Sequence, residues 1–122
     1  MKRAIFLTAL AATVLVPVAL TAPRPKIQVR PKVVRAGGVL RIRGFATGCP
    51  VINSVTVISR AFVKDRKHNF AGLGAVYLRQ NSRHRFRGGA HIRRKARGKY
   101  RISARCGGAN LGVTARVRVT AP

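Results

Sequence analysis

The sequence predicts an all-β domain, an antiparallel β-sandwich of about seven strands with an N-terminal signal helix ahead of it. Three observations carry that prediction. Apolar and polar residues alternate with period two through much of the chain beyond Pro25, most clearly over residues 100–106 and 113–119. Gly, Pro and Asn interrupt the alternation at short intervals, as the turns of short strands do. No segment beyond residue 22 repeats its apolar residues at helical spacing.

The elements follow in order. Met1-Lys2-Arg3 is a basic start, and residues 4–20 are an apolar run broken only by Thr8, Thr13 and Pro17. That is the pattern of a secretory signal peptide, assigned to residues 1–22. Left uncut, the run would be an N-terminal membrane anchor, slightly short for a span. Residues 23–26 are a linker and residues 27–122 the sandwich domain. Ile27-Gln28-Val29-Arg30-Pro31 reads as a first edge strand, its Pro tolerated only at an edge or an end because it has no N–H to donate to a ladder. Val33 and Val34 follow, and Ala36-Gly37-Gly38 turns the chain. Residues 39–45 form a second strand with Leu40 and Ile42 inward and Arg41 and Arg43 outward; Gly44, Gly48 and Pro50 break it around Cys49. Residues 52–62 are a third strand, residues 64–69 a polar loop, and residues 75–78 a short fourth strand. Gln80-Asn81-Ser82 is a turn into residues 83–92, which set Phe86, Gly88, Ala90 and Ile92 against Arg83, Arg85, Arg87 and His91. A basic connection leads to the strand ending at Cys106, and a Gly-Gly-Ala-Asn turn leads to the last strand.

Charge limits the function classes. There are 26 Lys and Arg against one acidic residue, a formal charge of +25. Such a charge opposes compaction and attracts polyanions. Paired carboxylates for glycoside hydrolysis and oxygen cages for calcium or magnesium cannot be built from Asp65 alone. Two cysteines in separate segments do not make a zinc site. Asp65 and His68, with Ser54 or Ser59, match a hydrolytic triad in residue type only. Asp65 stands among Lys64, Arg66 and Lys67, so a local ion pair is the simpler account, and no Gly-x-Ser-x-Gly elbow occurs. His68, His84 and His91 lack metal-ligand spacing and are expected at solvent. The reading is a protein without enzymatic activity, cofactor, metal or small-molecule substrate.

The basic stretch 83–99 is the candidate binding site. On a strand, Arg83, Arg85 and Arg87 project from one face about 7 Å apart, and Arg93, Arg94, Lys95, Arg97 and Lys99 extend the patch through the connection. Contact with a polyanion follows from that density. No helix-turn-helix, zinc-finger or exposed aromatic pattern accompanies it, so the expected contact is independent of sequence. Tyr100, near the start of its strand, is expected to anchor a corner through its hydroxyl or to serve as a core aromatic with a wet tip.

Several segments resemble a family. Gly37-Gly38, Gly48-Cys49-Pro50, Ala61-Phe62 with Phe70-Ala71-Gly72, Gly98-x-Tyr100 and Cys106-Gly107-Gly108-Ala109-Asn110-Leu111-Gly112-Val113 are similar to small secreted immunoglobulin-like modules of high-GC Gram-positive bacteria. The resemblance spans roughly residues 27–119, and Cys-Gly-Gly-x-Asn-Leu-Gly is its most specific part. It implies an immunoglobulin-like sandwich, export, a Cys49–Cys106 disulfide and no catalytic residues. Two cysteines in a small exported domain also favour a bridge over a redox or metal pair. This chain departs from the family pattern in being so basic and nearly free of acids. The expectation is an exported, non-enzymatic immunoglobulin-like module whose basic surface contacts anionic cell-envelope polymers, a wall polymer or membrane surface, with non-specific nucleic acid as a further partner. Two alternatives come from other classes: a structural or protein-interaction module whose charge is compositional, and a cationic membrane-active protein.

Overall fold

The structure, a computed structural model, describes residues 24–64 and 72–122. The signal peptide and its helix, and the loop residues Asp65 and His68, lie outside the described residues, as do Phe70 and Ala71. The described part is all-β. Its strands are β1 (Lys26–Arg30), β2 (Val33–Arg35), β3 (Val39–Phe45), β4 (Val55–Ser59), β5 (Gly74–Leu78), β6 (Arg85–His91), β7 (Gly98–Cys106) and β8 (Ala109–Thr120). They form two sheets, ordered β1-β3-β6 and β2-β8-β7-β4-β5.

Two expectations about the first strands are corrected. Lys26 belongs to β1 rather than to a linker. The strand beyond the expected seven is β2, which pairs with β8 in parallel while the other pairings are antiparallel. Pro31, joined to Arg30 by a cis peptide bond, has no N–H with which to extend β1. The chain leaves the first sheet there, and Val33–Arg35 joins the second. Period two alone could not register this change of sheet, because three residues are too few to display a period.

The third strand is shorter than expected. β4 starts at Val55 because residues 50–53 close a turn in which the Asn53 N–H donates to the Pro50 carbonyl at 2.9 Å. The last hairpin is tighter than expected. Cys106 pairs directly with Ala109, so Gly107 and Gly108 alone make the turn, with φ +57° at Gly107.

The inward faces of both sheets share one core. Ile27, Val29, Leu40, Ile42, Phe86 and Ala90 come from the first sheet; Val55, Val57, Ile102, Ala104, Val117 and Val119 come from the second. Full burial of a side chain such as Leu40 or Ile102 stabilises by about 1.5–3 kcal/mol. Gly44 is inward where β1 and Phe86 approach most closely. A Cβ there would collide with the Lys26 carbonyl oxygen and lie 2.7 Å from Cζ of Phe86. Cys49, fully buried in the loop after β3, forms a disulfide with Cys106 at the end of β7, with Cα atoms 5.6 Å apart. The link ties the two sheets together at one end. The Tyr100 ring packs against the core and its hydroxyl accepts the Arg97 N–H at 3.0 Å, the corner contact expected of it.

Candidate functional site

The outward face of the first sheet is the candidate site. Alternation along β1 places Lys26, Gln28 and Arg30 outward; β3 adds Val39, Arg41, Arg43 and Phe45; β6 adds Arg85, Arg87 and His91. Register assembles these into rows. Lys26, Phe45 and Arg85 lie side by side, then Gln28, Arg43 and Arg87, then Arg30, Arg41 and Gly89. With rows about 7 Å apart and strands about 4.8 Å apart, the cations cover a patch of roughly 14 by 10 Å. Two adjoining grooves of about 700 and 620 Å³ run over this face and share Gln28, Arg43 and Arg87. Arg79 and Asn81 extend the first groove beyond the Phe45 row.

Two guanidinium groups are held in place. Nε of Arg43 donates to Oε1 of Gln28 at 3.2 Å, which leaves its two terminal nitrogens free for a bidentate acceptor. The Arg85 guanidinium lies over the Phe45 ring, 5.3 Å from the centroid. Arg30 and Arg41 stand directly opposite each other, as do Arg43 and Arg87. Like charges in that relation repel. The one acidic residue, Asp65, lies outside the described residues, so no described side-chain carboxylate compensates them. Planar donors, mutual repulsion and uncompensated charge give this face a strongly positive potential.

The residues expected to form one patch are divided. Arg85 and Arg87 lie exposed on the face just described. Arg83 does not join them. His84 adopts φ +61° and the Asn81 side-chain oxygen accepts the N–H of both Arg83 and Arg85, so the alternation starts only at Arg85. Arg93 is half-buried and its Nε donates to the Arg60 carbonyl at 2.7 Å. Arg97 donates to the Arg94 and Ala96 carbonyls at 2.8 and 2.6 Å. These two hold the β6–β7 connection. Arg94 and Lys95 are exposed in that connection, and Lys99 lies on β7, in the other sheet. The patch read as continuous along the chain is broken because β6 and β7 belong to different sheets.

Sequence reasoning missed that Lys26, Gln28, Arg30, Arg41 and Arg43 complete the face of Arg85 and Arg87. The outward parity of Arg41 and Arg43 was visible; their adjacency to β6 was not. His84 is also corrected. It is half-buried, and its Nδ1 lies 3.0 Å from Oε1 of Gln80, which can only accept, so Nδ1 is the donor. Gln80 in turn donates through Nε2 to the Cys49, Pro50 and Asn53 carbonyls, fixing the loop after β3 beside the groove. Among the described residues, no three His, Cys, Asp or Glu come together as metal ligands would.

No protein-family model matches the chain, and no curated protein does. Among solved structures, the fold is similar to the Pseudomonas fluorescens alkylpurine DNA glycosylase AlkC bound to DNA containing an abasic site analog. The TM-score is 0.52 and the identity 22%, over 80% of this chain and 31% of that one. At this identity the likeness is one of fold, and this chain spans about a third of the enzyme's length. The finding corrects the functional expectation. An architecture of this kind occurs within a DNA-bound enzyme, so the assignment to a non-enzymatic exported module contacting envelope polymers does not stand. The assignment "not an enzyme" is withdrawn with it. Of the expected partners, nucleic acid fits the likeness; wall polymers and membrane surfaces receive no support from it.

Proposed function

We propose that the domain binds duplex DNA through the phosphate backbone, without reading sequence, on the outward face of β1-β3-β6. The observation that carries this reading is the row-by-row assembly of Lys26, Arg30, Arg41, Arg43, Arg85 and Arg87 on one grooved face that meets no described carboxylate. Two features favour duplex over single strands. A single-strand platform presents successive aromatic rings, whereas this face offers Phe45 alone, half-buried and covered by Arg85. Guanidinium groups spaced about 7 Å apart along strands suit backbone phosphates, which position a protein without specifying sequence. The likeness to a DNA-bound glycosylase supports the same partner.

The fold reading that accompanies the proposal is an immunoglobulin-like sandwich, akin to the secreted modules the sequence resembles. Its support is a first strand that changes sheet at Pro31, the two strand orders, the Tyr100 hydroxyl contact and the Cys49–Cys106 link between layers.

The test is a salt series of binding to a short labelled duplex, for the oxidised protein and for Arg41→Gln/Arg43→Gln/Arg85→Gln/Arg87→Gln. With six phosphates neutralised on this face, log K against log salt has a slope of about −5, and the variant's slope is shallower. Equal slopes in the two proteins, or no binding of the parent near 0.15 M salt, would overturn the proposal.

A further inference from the structure

We infer that the outward face of the second sheet is a second DNA-backbone surface, so that one copy of the domain holds two duplex segments on opposite sides. This rests on the reading of the first face given above. β7 presents Lys99 and Arg101 outward, and β8 presents Arg116 and Arg118; all four are exposed. Register sets Lys99 opposite Arg118 and Arg101 opposite Arg116. The result is a quadrilateral of cations about 7 Å long and about 5 Å wide. In the next row Ser103 faces Thr114, so hydroxyl groups continue the strip. Two sides of the quadrilateral pair like charges across strands, an arrangement that is unfavourable without an anion between them. The inward residues of these strands, Ile102, Val117 and Val119, are core, so the cations cannot turn inward.

The geometry separates this surface from the first. The first-face cations lie on β1, β3 and β6 and these four on β7 and β8 of the other sheet, and the inward residues of both sheets meet in one core, so the two outward faces are separate surfaces. Sheets that pack on each other are about 10 Å apart, so a single duplex cannot lie flat on both faces. The charge on the second face is complementary to a further phosphate backbone, and the occupant proposed is a second duplex segment.

The experiment mixes donor-labelled and acceptor-labelled duplexes with the full chain and reads energy transfer between them, alongside affinity for one duplex. Three forms are compared: the parent, Lys99→Gln/Arg101→Gln/Arg116→Gln/Arg118→Gln, and a variant that removes four exposed cations of the connections, outside the strands of both faces (Arg60, Lys64, Arg94 and Lys95, each to Gln). The parent is expected to bring duplexes together at low protein ratios. The second-face variant is expected to lose at least tenfold in transfer at equal occupancy while its single-duplex affinity changes by less than threefold. The off-face variant is expected to keep the transfer. Three results would overturn the inference: transfer that persists in the second-face variant, equal loss in the off-face variant, or a parent that binds single duplexes and never joins them. If the parent binds no duplex at all, the first-face reading fails as well, and the affinity arm records that separately.

Discussion

The cross-strand register predicts that the free domain becomes more stable as salt rises. Four pairs of cations stand directly opposite each other: Arg30 with Arg41, Arg43 with Arg87, Lys99 with Arg118 and Arg101 with Arg116. Each like-charge pair costs roughly 0.2–1 kcal/mol, so together they remove about 1–4 kcal/mol. The Debye length falls from about 30 Å at 0.01 M to about 3 Å at 1 M. Over that range most of the repulsion between exposed charges is screened. Urea is the denaturant to use, because guanidinium would itself screen the charges. With a urea slope of about 1 kcal/mol/M for a domain of this size, the midpoint should rise by about 1 M or more between 0.01 and 1 M NaCl. Arg101→Gln removes one pair and should stabilise the domain by a few tenths to about 1 kcal/mol at low salt. At 1 M NaCl the two proteins should coincide. A midpoint that stays flat or falls with salt, or an Arg101→Gln variant less stable than the parent at low salt, would refute the reasoning. The same measurement bears on function, because a duplex that relieves this repulsion should raise the midpoint at low salt more than at high salt.

Two further predictions concern the scaffold. Cys49 and Cys106 are 57 residues apart, and in the chain-entropy description a closed loop of that length stabilises by about 4 kcal/mol. Cys49→Ser/Cys106→Ser should lower the unfolding free energy by that order, read in the urea transition, and an unchanged midpoint would show that the bridge constrains little. Gly44→Ala should destabilise by about 1–3 kcal/mol, since its Cβ meets backbone at Lys26 and the Phe86 ring, neither of which a rotamer change can withdraw. A variant of parental stability would mean that β1 can shift away from β3 at no cost.

Strand identity and facing were largely legible because they are local properties. The inward set Tyr100, Ile102, Ala104 and Cys106 of β7 reads directly from period two, and so does the outward set Arg41 and Arg43 of β3. Strand boundaries were less legible, and three of the differences show why. Period two carries a strand through Arg83 because His84 gives no sign in the sequence that it adopts a positive φ. Residues 52–54 read as strand because the turn at residues 50–53 is held by Gln80, 27 to 31 positions away. Val33–Arg35 gives no strand signal of its own because a three-residue strand is defined by its partner, β8, and by nothing within itself.

By itself the sequence determined the all-β class, the parity of most strands and a cationic surface with one acid to offset it. These follow from residue type and nearest neighbours, which a chain displays before it folds. Only the tertiary structure decided which cations act together. Lys26, Arg43 and Arg87 are far apart in the chain and share a face because β1, β3 and β6 are neighbours in one sheet. Arg87 and Lys99 are close in the chain and sit on opposite sheets. Strand order and register are set by the fit of the buried side chains in the common core, and the outward charges are carried to their places by that fit.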